Sequence, residues 1–355
     1  MKILIVVKWL INGGAENNII RIANFLNKNG FDIDILVLND TAEKPLIKVI
    51  NKGIKNIFVM EKKYNFLTFV LKNKKKYKII ICGDHRIGVY FSIFKYFYLE
   101  KKTKIICRCI NNLDLLIGSK NFLYKKLFNY FFKKIDIIIS QCKEMEKNLK
   151  NKWKVNDVIT IYNPVNKSKI IKSTINNKNF IFIGRFSKQK KLDFMLKAFN
   201  LALRENNDIH LTLVGYREWM AEDKLVKKDL DSFIVNNNLQ NKVNIINYSK
   251  NTFNYLLNSD IFLLTSEYEG FPNVLLEANS LGLPVISVDC PFGPKEIINQ
   301  DNGLLVNKES YIEFSKKIIL STRINWDPIK ISNSTILYDE NKQYSKLINV
   351  IKGLS

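Results

Sequence analysis

Histidine is scarce in this sequence, with two residues, His85 and His210, among 355. Two are too few for most histidine-based metal sites. The five cysteines are odd in number and lie mostly in or beside apolar runs, which argues against a disulfide framework and predicts reduced thiols in a cytoplasmic protein. The sequence has no uncharged apolar run of about 18 residues, and its N-terminal segment lacks a signal-peptide cleavage site, so neither a transmembrane helix nor a signal peptide is predicted.

Acidic residues are scarce in the first half of the chain. Residues 1–175 contain 34 Lys and Arg but 13 Asp and Glu, whereas residues 176–355 contain 22 and 20. The net charge of +23 is therefore concentrated in the first half. A basic surface attracts nucleic acid, an anionic membrane or a phosphorylated substrate. A solvated lysine surface that reflects an Asn-, Lys- and Ile-rich composition is the alternative.

Short apolar runs that resemble strands alternate with amphipathic helical runs along the whole chain. This alternation predicts an α/β fold with parallel sheets covered on both faces. The pattern restarts near residue 179 after a polar stretch without periodicity. We therefore predict two Rossmann-like, doubly wound domains facing a central cleft. The predicted parts are an N-terminal domain over 1–165, a linker over 166–178, a C-terminal domain over 179–335, and a C-terminal helix over 336–355 that packs back toward the first domain.

Loops that follow the strands of such sheets bind ligands, and several of them carry suitable residues. Gly13 and Gly14 follow the first strand, where paired glycines at a helix N-terminus allow a phosphate to approach the backbone. Arg185 and Lys190 follow the first strand of the second domain, and two cations there suit a diphosphate. Gly215 ends another strand and allows a ligand near the backbone. Taken singly, these residues are equally typical of ordinary turns or of a basic loop.

Two glutamates, Glu269 and Glu277, lie on either side of the sequence Gly-Phe-Pro-Asn at 270–273. A carboxylate in such a loop can accept hydrogen bonds from sugar hydroxyl groups. Glu277 lies within the first turns of the helix that follows and can reach a ribose. The spacing alone is weak evidence, since two glutamates this far apart often occur by chance.

Together these segments resemble the retaining glycosyltransferases of family 4, glycosyl transferases group 1, which have the GT-B fold. The resemblance covers nearly the whole chain in order. It is carried by GGAE (13–16), YNPV (162–165), GRFSKQKKLDFMLKAF (184–199), SEYEGFPNVLLEANSLGLPVI (266–286), PFGPKEII (291–298) and NGLLV (302–306). The segment 266–306 is the most specific part.

The resemblance implies transfer of a sugar from a nucleotide-sugar with retention at the anomeric carbon, by front-face attack and without a metal or other cofactor. UDP is the nucleotide expected from the habit of the family. The implied catalytic residues are Arg185 and Lys190, on the donor diphosphate, and Glu269, on the hydroxyl groups of the donor sugar. The implied binding residues are Glu277 on the ribose, Gly270, Phe271 and Asn273 beside the sugar, Gly215 at its strand end, and Gly13 and Gly14 near the phosphate or the acceptor.

This sequence departs from the family in its first domain, where many relatives carry a histidine near the donor sugar. The corresponding strand ends in Cys-Arg-Cys-Ile-Asn-Asn at 107–112. Arg108 and Asn111 are candidates for the place of that histidine. His85 is a third candidate, although a role in a surface loop is favoured for it.

The segment NFLYKKLFNYFFKK (121–134) interleaves aromatic residues with lysine pairs. A helix of this kind is suited to the interface of an anionic membrane, or to the core with its lysines extended into solvent. The lysine-rich segment LKNKKKYK (71–78) favours the membrane. We therefore expect a peripheral enzyme at the cytoplasmic face of the membrane, which glycosylates a lipid-linked or lipopolysaccharide-type acceptor and has no nucleic-acid partner.

Other functional classes remain as alternatives. A nucleic-acid-binding protein explains the charge but not the two glutamates and the diphosphate loops. A nucleotide-sugar epimerase or hydrolase of the same build is a closer alternative, but such epimerases lack the GGAE and EGFPN arrangement. The third is a non-catalytic basic protein that only binds the nucleotide-sugar.

Overall fold

The computed structural model describes residues 1–11, 13–41, 44–60, 64–166, 168, 170–307 and 310–354. The chain divides into two compact units, the first formed by Met1–Pro164 with Glu340–Ser355 and the second by Val165–Asp339. Residues 166–178, the expected linker, are assigned to the second unit, and two of them, Lys167 and Lys169, lie outside the described residues. Asn12, which precedes the glycine pair, also lies outside them. Within the described ranges, no helix is long and apolar enough to cross a membrane.

The first unit is built on a parallel sheet of seven strands among the described residues, in the order β3-β2-β1-β4-β5-β6-β7. The strands are β1 (Lys2–Val7), β2 (Asp32–Val37), β3 (Asn56–Val59), β4 (Ile79–Cys82), β5 (Lys104–Arg108), β6 (Ile137–Ser140) and β7 (Val158–Thr160). The helices are α1 (Gly14–Lys28), α2 (Tyr64–Lys72), α3 (His85–Phe97), α4 (Leu113–Gly118), α5 (Phe122–Phe132) and α6 (Lys143–Asn151), with a 3₁₀ turn at Pro45–Val49.

The second unit is built on a parallel sheet of six strands among the described residues, in the order β10-β9-β8-β11-β12-β13. The strands are β8 (Asn179–Ile183), β9 (His210–Tyr216), β10 (Val243–Asn247), β11 (Ile261–Leu264), β12 (Val285–Val288) and β13 (Gly303–Val306). The helices are α7 (Leu192–Glu205), α8 (Ala221–Asn236), α9 (Phe253–Leu257), α10 (Asn273–Ser280), α11 (Pro294–Ile297), α12 (Tyr311–Arg323) and α13 (Pro328–Asn333), with 3₁₀ turns at Lys188–Lys190 and Ser334–Tyr338.

The central strands of both sheets are buried along nearly their whole length. Strand β1 is buried from Ile3 to Val7, and every residue of β4, β11 and β12 is buried. These strands consist mainly of Ile, Leu and Val, which fit a pleated surface covered on both faces. The predicted doubly wound α/β class is therefore confirmed.

The C-terminal helix α14 (Glu340–Gly353) is part of the first unit. Its residues Tyr344, Leu347 and Ile351 are buried in the same apolar cluster as α1. Arg21 of α1 donates a hydrogen bond of 2.9 Å to Glu340 at the start of α14. Removing each of the three side chains from water contributes about 1.5–3 kcal/mol to stability, so the helix is held mainly by packing.

In each sheet the order of the strands reverses once. The reversal lies between β1 and β4 in the first unit and between β8 and β11 in the second. The loops that leave the two neighbouring strands at such a point diverge to opposite faces, which opens a crevice beyond the carboxyl ends of the strands. Each unit therefore provides one natural ligand position, and His85 begins the helix that follows β4.

Candidate functional site

The loops after β8 and β11 contain most of the predicted site residues and are held together by hydrogen bonds. The Thr265 hydroxyl group donates to the Lys190 carbonyl oxygen at 2.8 Å. The Gln189 side-chain amide donates to the Tyr268 carbonyl oxygen at 2.7 Å, and the Glu267 amide donates to the Gln189 carbonyl oxygen at 2.8 Å. The reversal point of the second sheet is thus lined by two loops that form one connected structure.

Lys190 and Glu269 form an ion pair across these two loops. The distance between Lys190 Nζ and Glu269 Oε1 is 2.6 Å, and the two side chains are only 13% and 11% exposed. Charge-assisted hydrogen bonds of this kind are roughly twice as strong as neutral ones. The structure therefore brings together two residues that are 79 positions apart in the sequence and were predicted to act on the same ligand.

Arg185 directly follows Gly184 at the end of β8 and is exposed. Its side chain has no hydrogen bond or ion pair with any residue in the described ranges. Its neighbour Phe186 is buried, so the backbone on either side of the guanidinium group is anchored. The arrangement offers one anchored cation, Lys190, and one cation whose donors are available to an anion.

Gly215 is required by the packing of the backbone. Its φ angle is +122°, and a Cβ atom there would lie 2.2 Å from the Gly184 carbonyl oxygen. A side chain at this position would both strain the backbone and push the loop after β8 away. The residue thus lets the ends of β8 and β9 approach each other, which supports the position of Arg185.

Asp223 and Arg217 support the same loops and were missed by the sequence analysis. Asp223, at the start of α8, is fully buried and accepts hydrogen bonds from Arg217 Nε at 3.0 Å and Arg217 Nη2 at 2.6 Å. It also accepts from the backbone amides of Arg217 at 3.1 Å and Phe186 at 3.4 Å. In the sequence, Arg217 just after the end of β9 and Asp223 in the following helix were the signal available for this contact. Whether the two side chains pair depends on the turn between them.

The loop of residues 270–273 leads into α10, which begins at Asn273. Phe271 is buried, with its ring centroid 5.9 Å from that of Tyr338. Glu277 lies one turn into the helix and is exposed. Gly270 is half-buried between Glu269 and Phe271. The loop therefore has an apolar anchor on one side and an exposed glutamate on the other.

The segment after β12 closes against this loop. The Glu269 amide donates to the Pro291 carbonyl oxygen at 3.2 Å. Gly293 has a φ angle of +108°, and a Cβ atom there would lie 2.5 Å from Pro272 Cδ. The hydroxyl oxygens of Ser187 and Ser266 in the same region are buried and have no hydrogen-bond partner in the described part of the chain. Buried polar groups of this kind are usually satisfied by water or by a ligand.

The glycine pair of the first unit precedes α1. Gly13 is the N-cap residue and Gly14 is the first helical residue. The Glu16 carboxylate lies directly against Gly13, since a Cβ atom there would be 2.3 Å from Glu16 Oε2. Burial raises the pKa of this carboxyl group above its ordinary value.

Arg108 is buried beneath the start of α1. Its Nη2 donates to Asn163 Oδ1 at 2.8 Å, and its Nη1 donates to the Ala15 carbonyl oxygen at 3.4 Å. Burial lowers the pKa of the guanidinium group. Arg108 is thus engaged in holding the backbone around the glycine pair. The other candidate, Asn111, is half-buried, and its carbonyl oxygen accepts from the Cys109 thiol at 3.6 Å.

The expectation that His85 lies in a surface loop is wrong. His85 is the first residue of α3 and is 0% exposed, with its ring 6.3 Å from that of Phe128. Asp84 caps the helix by accepting from the amides of Arg86 and Ile87. Burial of the imidazole ring lowers its pKa to about 4. The ring is therefore neutral near pH 7.

Residues 165–324 match the family model of the glycosyl transferases group 1. An uncharacterized glycosyltransferase of Methanocaldococcus jannaschii is 28% identical over 340 residues, which cover 88% of this chain and 78% of the relative. The family match lies within the second unit, and the chain is similar to glycosyltransferases over most of its length.

Two further matches extend this similarity. The N-acetylgalactosamine-N,N'-diacetylbacillosaminyl-diphospho-undecaprenol 4-alpha-N-acetylgalactosaminyltransferase of Campylobacter jejuni is 22% identical, with 95% of this chain and 99% of that protein covered. The crystal structure of Anabaena HepE in complex with UDP matches this chain with a TM-score of 0.82 at 17% identity, over 99% of this chain and 100% of that one. The latter likeness shows the GT-B fold.

Proposed function

We propose that this glycosyltransferase transfers a sugar from a UDP-sugar to a lipid-linked or cell-surface glycan acceptor, with retention at the anomeric carbon and without a metal ion. The observation that carries the proposal is the Lys190–Glu269 ion pair at the reversal point of the second sheet, beside the available guanidinium group of Arg185. The complex of the structurally similar HepE with UDP supports the choice of nucleotide.

The two cations would bind the donor diphosphate. Negative charge develops on the departing phosphate in the transition state, and fixed cations stabilise that charge more than they stabilise the ground state. Lys190 is already held by Glu269 and by the contacts of its carbonyl oxygen, so little reorganisation is needed. Arg185 can contact two phosphate oxygens at once because its guanidinium group is planar. Together they supply charge that a divalent cation provides in other transferases.

The sugar would lie beside Glu269 and the backbone of Gly270, Phe271 and Asn273. The Glu269 oxygen that is not bound to Lys190 can accept a hydrogen bond from a sugar hydroxyl group. Glu277, exposed one turn into α10, would accept hydrogen bonds from the ribose. A ligand that contacts both glutamates would connect the two ends of the 270–273 loop.

The reaction would proceed on one face of the sugar. The bond between the anomeric carbon and the phosphate oxygen breaks, and a bond from the acceptor oxygen to the same face of that carbon forms. The proton of the acceptor hydroxyl group passes to the departing phosphate oxygen. Atoms and charge balance without a covalent enzyme intermediate, which leaves Glu269 as a binding and stabilising group.

Features of the first unit and the names of the relatives support the proposed acceptor and membrane. The Campylobacter jejuni relative is named for a diphospho-undecaprenol acceptor. The first half of this chain holds nearly all of the excess positive charge. Helix α5 exposes Phe122 and Leu123, which are 79% and 65% accessible, next to lysine pairs. These features support a peripheral association with an anionic membrane on its cytoplasmic face, through electrostatic attraction and shallow insertion.

The test is the thermal stability of the purified protein with a panel of nucleotide-sugars in the presence of EDTA. Wild type is compared with Glu277→Ala and with the control Glu205→Ala, which alters an exposed glutamate at the end of α7. A UDP-sugar is expected to raise the melting temperature of wild type and control, but not of Glu277→Ala. Release of UDP in the presence of an acceptor, with the anomeric configuration of the product read by NMR, then tests transfer and retention.

Several outcomes would contradict the proposal. If no nucleotide-sugar raised the melting temperature, the second unit would not be a donor site. Stabilisation that Glu277→Ala retained in full would show that Glu277 has no contact with the ribose. Stabilisation that disappeared with EDTA and returned with Mg²⁺ would overturn metal independence. UDP release without a glycosylated product would indicate a hydrolase.

A further inference from the structure

The first unit contains an open cavity of about 560 Å³ that the proposed donor site does not use. Its polar wall comes from the start of α3 and from the loop between α4 and α5, and its apolar wall comes from α4. The lining includes His85, Arg86, Leu116, Lys120, Asn121 and Tyr124. This volume lies in the range typical of small-molecule sites.

A second, apolar cavity of about 200 Å³ adjoins the first along helices α3 and α5. Arg86 and Tyr124 line both cavities, so the two share a common wall. The second is otherwise lined mainly by Val89, Tyr90, Ile93 and Leu127. The two helices that line this cavity, α3 and α5, are in direct contact. Ser92 Oγ donates a hydrogen bond to the Phe131 carbonyl oxygen at 2.7 Å.

The charge of the larger cavity selects an anion. Arg86 and Lys120 line it, and no Asp or Glu of the described residues does. The nearest carboxylate to the guanidinium group is that of Asp84, 4.0 Å from Arg86 Nη2, and its other oxygen already caps α3. Arg86 therefore retains donors for a ligand. A phosphate group matches this pair, because a planar guanidinium group binds two of its oxygens at once and a lysine adds a point charge.

His85 provides an independent sign of a ligand on the cavity floor. Both of its ring nitrogens are buried without a hydrogen-bond partner in the described part of the chain. An unsatisfied buried polar atom is costly, and native proteins normally satisfy it with protein, water or ligand. A neutral imidazole can donate one hydrogen bond to a phosphate oxygen, and the Asp84 cap holds the ring at this place.

We propose that these two cavities form one binding site for a single-chain or polyprenyl-type lipid phosphate. The phosphate group lies in the larger cavity between Arg86 and Lys120 with His85 at the floor, and the first methylene groups of the chain lie between α3 and α5. The inference rests on the proposed function, since it assigns the part of the acceptor that carries the phosphate. It goes further by placing that part on named residues of the first unit.

The surroundings of the site suit a ligand that stays partly in a bilayer. Near its end, α3 exposes Tyr96 and Phe97, which are 65% and 62% accessible, and the start of α5 exposes Phe122. Large exposed apolar side chains on neighbouring helices mark a surface that contacts lipid or protein. With the nearby lysine pairs of α5, they favour an anionic lipid surface as the source of the ligand.

The experiment measures binding of dodecyl phosphate, below its micellar concentration, to the full-length protein by calorimetry. Inorganic phosphate and the neutral dodecyl maltoside are the comparison probes. Wild type is expected to bind dodecyl phosphate about 100-fold more tightly than inorganic phosphate, because roughly three to four methylene groups leave water. Arg86→Ala and Lys120→Ala should each weaken dodecyl phosphate about 10-fold, the usual effect of losing one charged hydrogen bond.

Two further variants separate the chain from the head group. Ile93→Glu places a charge in the apolar cavity and should reduce the affinity for dodecyl phosphate to that for inorganic phosphate. Lys147→Ala, an exposed lysine on α6, is the matched control and should bind as wild type does. Circular dichroism melting curves of every variant establish that it is folded.

The inference is overturned if dodecyl maltoside binds as tightly as dodecyl phosphate, or if Arg86→Ala and Lys120→Ala match Lys147→Ala. Equal affinity for inorganic phosphate and dodecyl phosphate would also overturn it, since it would show an anion site without a chain site. The UDP-sugar stabilisation measured on the same samples reports the second unit. Loss of lipid-phosphate binding with intact donor binding therefore refutes this inference alone, and the reverse result refutes the proposed donor.

Discussion

Replacement of His85 with phenylalanine is expected to remove a pH-dependent loss of stability from the first unit. The imidazole ring is 0% exposed, and its nitrogens have no hydrogen-bond partner in the described ranges. Burial is the largest cause that lowers its pKa, and Arg86 lowers it further, whereas the Asp84 charge acts in the opposite direction. Phenylalanine has a similar ring and fills the same space without a titratable group.

The magnitude follows from the two pKa values. The ring has a pKa of about 4 in the folded protein and an ordinary value of 6.5. As the pH falls below 6.5, the unfolded chain binds a proton that the folded chain does not, so the free energy of unfolding decreases. The loss stops below the folded pKa and amounts to about 3 kcal/mol in total. Near neutral pH the variant should also gain about 1–2 kcal/mol, because no polar atom remains unsatisfied.

The assay is urea unfolding of wild type and His85→Phe at about pH 7, 5.5 and 4.5, which covers most of the interval between the two pKa values. The carboxyl groups that also titrate there are common to both proteins, so the difference in unfolding free energy isolates the histidine. That difference should grow by about 2–3 kcal/mol from the highest to the lowest pH. The control is His210→Phe, which makes the same substitution at an exposed position in the second unit. If the difference in unfolding free energy between wild type and His85→Phe changed by less than about 0.5 kcal/mol over this pH range, the reasoning would be refuted. The folded protein would then bind a proton on the His85 ring as readily as the unfolded chain does.

The other predictions concern the second unit and the thiols. Lys190→Ala should destabilise the second unit by about 1–3 kcal/mol in urea unfolding, since it leaves Glu269 buried without its cation. Adding Glu269→Gln to this variant should restore part of the stability. It should not restore transfer activity, measured as UDP release. A Lys190→Ala protein as stable as wild type would contradict the importance of this pair. Asp223→Asn should lower the free energy of unfolding by about 3 kcal/mol and weaken UDP-sugar binding, because an amide cannot accept all four hydrogen bonds. If calorimetry gave an unchanged affinity for the UDP-sugar, Asp223 would not support the site. Gly215→Ala should lower the melting temperature by several degrees, because φ is positive there and the new Cβ atom would lie 2.2 Å from the Gly184 carbonyl oxygen. An unchanged melting temperature would contradict the close approach of β8 and β9. Burial raises the pKa of the Cys107 thiol, so a thiol reagent should label it only after unfolding, and rapid labelling of the native protein would contradict its burial.

Part of the fold could be predicted because its signals are local. The runs that became β1, β4, β8 and β11 are apolar, short and separated by helical periodicity, and no distant information is needed to recognise them. The edge strands β3 and β13 give weaker local signals. Each has four residues, and β3 is only half-buried, so its sequence lacks the continuous apolar run of a central strand.

The candidate site divides in the same way. Glycines, cations and glutamates after strands identified the two loops, because turn chemistry and strand ends are readable in sequence. That Lys190 and Glu269 meet at 2.6 Å depends on β8 and β11 being neighbours, although 79 positions separate the two residues. The Arg217–Asp223 contact likewise required the turn geometry before α8.

By itself, the sequence determined the alternation of strands and helices, the restart at residue 179, the loops that carry the candidate site residues and the excess of positive charge in the first half. Only the tertiary structure decided that His85 is buried and that Lys190 and Glu269 form an ion pair. It also decided that α3, α4 and α5 enclose the Arg86 and Lys120 cavity. The physical reason is that periodicity and turn chemistry act between neighbouring residues, whereas burial and ion pairing depend on which distant segments the strand order brings together.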